Sequence, residues 1–103
     1  ININIGDEKF IGKNSNQNAY SVFNLLNKFN FKSQEKVVEA RFIGKRRWNF
    51  VLENGIILIL SENENEKSLN SYFKLRKNLS NNDINNIKSI DLREIQKAII
   101  EFK

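Results

Sequence analysis

Asn54-Gly55 runs straight into five consecutive apolar residues, Ile56, Ile57, Leu58, Ile59 and Leu60. An Asn-Gly pair between hydrophobic runs is a strong hairpin signal, because both residues tolerate the positive φ that a tight turn demands. The run behind it does not alternate, so it predicts a central strand covered on both faces. A chain that must enclose such a strand needs further strands beside it and helices over it.

The flanking sequence supplies both. Arg46 to Glu53 alternates, with Trp48, Phe50 and Leu52 on one side, the period-two pattern of a half-buried strand. Upstream, Glu35 to Ile43 alternates too, with Val38, Ala40 and Phe42 on one inward face while Lys36, Glu39 and Arg41 stay mainly polar, and Gly44-Lys45 makes the tight connection between the two. Ile1, Ile3 and Ile5 alternate with Asn2 and Asn4 until Gly6 ends the pattern. From Ser15 the spacing becomes helical, through Ala19, Val22, Phe23, Leu26 and Phe29, with Ser15 or Asn16 as cap and residues 30–34 as exit loop.

Beyond the central strand, Glu62 to Leu79 opens with acids and closes with Arg76 and Lys77, the charge order that suits a helix dipole. Its inward stripe is Leu69, Tyr72, Phe73, Arg76 and Leu79. Ser80 to Asn86 reads as a polar connection with a short helical turn from Asp83. Ile87 to Arg93 and Lys97 to Phe102 are the last two strands, the second alternating through Ala98, Ile100 and Phe102. The order is strand, helix, three strands, helix, two strands. It predicts an α+β domain whose mixed or antiparallel sheet of about five to six strands carries two helices, with Phe42, Trp48, Phe50, Leu52, Leu69 and Phe73 in the core.

A length of 103 residues without proline or an evident linker fits one domain, residues 1–103, with a modest core. The absence of His and Cys excludes imidazole acid/base catalysis, thiol chemistry and thiolate zinc sites, so no catalytic residue, metal or cofactor is expected. No apolar run approaches the roughly 20 residues that span a bilayer. A chain that begins at Ile1 and holds no Met is expected to be a piece of a longer product, with any anchor or export signal upstream. The net charge of +5 attracts nucleic acid, anionic lipid or acidic protein without choosing among them.

Four clusters could carry function. Lys45-Arg46-Arg47-Trp48 joins cations to an aromatic, a combination that can hold phosphates and stack a base. The in-phase position of Trp48 with Phe50 and Leu52 points instead to burial. Glu62, Glu64 and Glu66 lead into a helix, where acids stabilise the dipole, and they lack the spacing of a calcium loop. Asp91 and Arg93, two apart on a strand, share its polar face as a solvated ion pair, or Arg93 meets an acidic group of a partner. Finally, nothing long follows Phe102, so the last strand is a candidate for pairing with another chain. Lys97, Glu101 and Lys103 protect it in part, whereas Ile99 on their face is apolar.

The run from Ala40 to Ile56, ARFIGKRRWNFVLENGI, together with Ser89-Ile90-Asp91-Leu92-Arg93, resembles the C-terminal β domain of the FtsQ/DivIB cell-division proteins, particularly their alphaproteobacterial form. Leu60-Ser61 departs from the family's Leu-Pro, and Glu94-Ile95-Gln96 stands where it often has a proline-containing turn. The resemblance implies a non-catalytic divisome scaffold in bacterial cell division. It implies an upstream cytoplasmic tail, transmembrane helix and POTRA domain, with this domain in the periplasm at the septal inner membrane. It also implies protein partners of the FtsB and FtsL type, received by strand addition at the last strand. The partner-binding residues would be Arg93, Glu94, Gln96, Lys97, Ala98, Ile99 and Ile100. The competing reading is a nucleic-acid-binding module built on Lys45, Arg46, Arg47 and Trp48.

Overall fold

A computed structural model describes residues 24–44 and 46–103. The strand expected through Ile1, Ile3 and Ile5, the helix start near Ser15 and Lys45 lie outside the described residues. Residues 24–28 are helical, here α1, and bury Leu25 and Leu26. A loop follows in which Gln34 takes a left-handed φ of 69°. Then come β1 (Val37–Ile43), β2 (Arg47–Leu52), β3 (Ile57–Leu60), α2 (Asn65–Arg76), α3 (Asn81–Asn86), β4 (Ile87–Glu94) and β5 (Lys97–Phe102).

Among the described residues these strands form one five-stranded sheet in sequence order. Every neighbouring pair is antiparallel except β3 and β4, which are parallel. A parallel pair needs a crossover, and α2 with α3 provides it. The sheet is therefore mixed and the class α+β. Among the described residues three helices stand where two were expected, because Ser80 caps a separate α3: its hydroxyl accepts from Asp83 N while Asp83 Oδ2 accepts from Ser80 N. That reciprocal capping box starts the turn two residues before the predicted Asp83.

The buried face of the sheet is one continuous row, Ala40, Phe50, Leu58 and Ile90, each fully buried, ending at half-buried Ile100 on β5. Leu69 and Tyr72 of α2 and Phe31 join this core. Trp48 and Leu52 are buried with Phe50, and Trp48 packs at 4.9 Å between ring centroids on Phe42, which is itself half-buried. Phe73 is half-buried, stacked on Phe29 at 5.4 Å.

Two expectations about faces change. Val38 was placed inward but is 41% exposed. Val37 pairs with Leu52 and Glu39 with Val51, so Val38 is the extra residue of a β-bulge, and Val37 takes the inward position. Ile57 and Ile59 of β3 were expected to be covered, yet they are only half-buried while Ile56, Leu58 and Leu60 are fully buried. Among the described residues, α2 packs on one side of the sheet only. The β2–β3 turn also spans three residues rather than two: Gly55 N donates to Leu52 O, and Gly55 has φ 92°. Asn54 contributes through its side chain, which accepts from Ile56 N at 3.1 Å.

Candidate partner-binding edge

Among the described residues β5 ends the sheet, hydrogen-bonded on one flank to β4. In an antiparallel edge strand every second residue turns its N–H and C=O away from the sheet, where a further strand can take them. The register Ile90 with Ile100 and Asp91 with Ile99 fixes the faces. Ile99 and Glu101 point to the open side and Ala98, Ile100 and Phe102 to the helix side, while Lys97, at the start of β5, lines the clefts on both. β5 is nearly bare on both: Ile99 is 54% and Phe102 56% exposed, and only Ile100 is half-buried.

The other edge, β1, differs in build. It carries the Val38 bulge and an exposed Arg41–Glu39 ion pair of 2.8 Å. A bulge spoils an edge as a pairing template, whereas both edges carry charge, since Glu101 of β5 pairs with Lys88 at 3.5 Å. The two irregularities between β4 and β5 place the additional residue on β4, so β5 itself stays regular.

α2 sets where β5 begins. Ser68 Oγ accepts from Ser61 N and donates to Leu92 O, both at 2.9 Å, tying the helix to the end of β3 and to β4. Three residues on, Ser71 Oγ donates to Ile95 O at 3.0 Å and so holds the turn that feeds Lys97. Neither serine was singled out from sequence. Ser68 precedes Tyr72 by four on the inward stripe, and a small hydroxyl at such a position is the available signal.

Arg93 is exposed and grips its neighbour. Its Nη2 donates to Asp91 Oδ2 at 2.7 Å, its Nε to Asp91 Oδ1 at 2.9 Å, and its backbone N to the same Oδ1 at 3.1 Å. These bonds hold the Asp91 carboxyl below its usual range. Glu94 pairs in register with Lys97 across the turn, and Gln96 lies in the turn itself. Arg93, Glu94, Lys97 and Ile99 share a cleft of about 230 Å3 with Asp91 on the open side, whereas Gln96, Lys97 and Ala98 line a groove against α2. Ile100 points towards the core.

Arg46 and Arg47 come to the other side of Arg93, and with Glu62 they line a cleft of about 370 Å3. Trp48 does not join them. At 3% exposure it has no free face for a base. Glu64 and Glu66 are engaged by Lys67 at 2.7 Å and Lys28 at 3.5 Å.

A second polar centre lies inside. Arg76, the cation of the inward stripe, meets Glu35 in a two-pronged pair: Nε to Oε1 at 2.7 Å and Nη2 to Oε2 at 2.8 Å. Arg76 Nη1 donates to Leu79 O, and the Tyr72 hydroxyl to Glu35 Oε1. The guanidinium holds the Glu35 carboxyl below its usual value, against the opposing effect of burial. Burial pushes the Tyr72 phenol up.

Comparison with known families adds to this geometry. Residues 6–93 match the family described as cell division protein FtsQ/DivIB, C-terminal. The chain belongs to the FtsQ/DivIB family. No curated protein matches it. Membership gives this FtsQ/DivIB domain a role in cell division and makes it a division-site protein with divisome partners. The match ends at Arg93, within β4, so β5 lies after the matched span.

Proposed function

We propose that this FtsQ/DivIB domain is a non-catalytic scaffold of the divisome that receives an extended segment of an FtsB- or FtsL-type partner along the free flank of β5. The observation that carries the reading is the position of β5: a regular six-residue strand at the end of the sheet, with Ile99 54% exposed. In strand addition, main-chain hydrogen bonds supply affinity and alternate side chains supply selectivity. Ile99 gives the open side an apolar contact, and Arg93, Glu94, Gln96, Lys97, Ala98 and Ile100 frame the rest of the register. Asp91 orients the Arg93 guanidinium through Nε and Nη2, so that its remaining edge can meet an acidic group of the partner. In the full protein, a POTRA domain and a transmembrane helix precede residues 1–103 and hold this single domain in the periplasm at the septum.

Titration of the chain with a peptide from the C-terminal region of FtsB tests the reading. Ile99→Asp puts a charge on the exposed contact without touching the core, so affinity should fall about tenfold, or ~1.4 kcal/mol, with an unchanged melting temperature. Equal affinity for both proteins contradicts it.

A further inference from the structure

Strand addition would place a new strand about 4.8 Å from β5, with every second side chain turned to the helix side. That side is not neutral. Lys67, Asn70, Ser71 and Lys74 form one stripe of α2, and together with Ile95, Gln96, Lys97 and Ala98 they line a groove of about 540 Å3. Among the described residues no carboxylate lines it. Lys67 holds Glu64 at 2.7 Å, but neither Lys74 nor Lys97 has an ion pair among the described residues. Ala98 leaves the floor of the groove open, and the Ser71 to Ile95 hydrogen bond of 3.0 Å holds the helix against the turn, so its walls are set before anything binds. The open side is different: its cleft mixes Asp91 and Glu94 with Arg93 and Lys97.

We propose that this groove is an acid-binding subsite, and that the segment received by β5 is a peptide carrying Asp or Glu on its helix-facing positions. The inference rests on the strand-addition reading above and goes further, because it assigns the chemistry of the partner to one side of its strand. Lys74 and Lys97 take the carboxylates. The mixed charges of the opposite cleft impose no such rule there, so the preference has a period of two along the partner.

The test is a selection of displayed random 12-residue peptides on the whole chain, repeated on a variant carrying Lys74→Gln and Lys97→Gln. N-methylation of alternate amides in the selected peptides identifies those that pair with β5. Acids should be enriched at alternate positions of those peptides and lost from the variant's selection. Each Glu→Gln change in a selected peptide should weaken binding about two- to fivefold at low salt, and less at high salt. Peptides that pair with β5 without acid enrichment, or whose acids persist on the variant, overturn the subsite and leave strand addition standing. If no peptide pairs with β5, both fail.

Discussion

Glu35 and Arg76 are 41 positions apart and join the loop before β1 to the last turn of α2. Both side chains are largely buried, so removing one leaves an uncompensated charge with little access to water. Arg76→Met should therefore cost about 3–5 kcal/mol, whereas Glu35→Leu with Arg76→Met should restore most of that loss, as apolar replacements of buried pairs do. Denaturant unfolding of the three proteins checks this. The pair also has a pH signature. Folding lowers the Glu35 pKa below its ordinary 4.5, so its contribution is complete above that value and fades as pH falls through the folded-state value. The melting temperature of the native chain should thus drop more steeply below about pH 4.5 than that of the doubly apolar variant. Parallel curves would contradict the assignment. The sequence placed Arg76 on the inward stripe and so signalled a buried partner. It did not reveal which acid, because local periodicity carries no information across 41 residues.

At the scale of elements, the β1–β2 hairpin packs the domain's single Trp against Phe42 at 4.9 Å. Trp48→Ala should cost about 3–5 kcal/mol in a thermal or denaturant melt, and a melt without loss would refute the inward assignment. Alternation made β2 and β5 legible, since successive residues of each turn to opposite faces of the sheet. It misled at Val38 because one bulged residue inverts every face before it. The non-alternating Ile56 to Leu60 run gave β3 its central place. It overstated cover on the open side, where apolar Ile57 and Ile59 are only half-buried. α3 was legible only as a turn, for its six residues hold too little periodicity to define a helix, and its start depends on the Ser80 cap.

For the whole molecule, the candidate site is a matter of sheet order. That β5 ends the sheet follows from long-range pairing of β3 with β4, which no residue of Lys97 to Phe102 announces. What the strand itself announced was Ile99 among charges. Among the described residues the two edges of the sheet then make opposite predictions: β1 carries a bulge, whereas β5 is regular and exposed. Residue-resolved amide hydrogen exchange, with and without the FtsB peptide, separates them. Strand addition predicts that alternate amides between Lys97 and Phe102 gain protection while those of Val37 to Ile43 keep their rates. Protection that appears on β1, or binding that leaves every β5 amide unchanged, would contradict it.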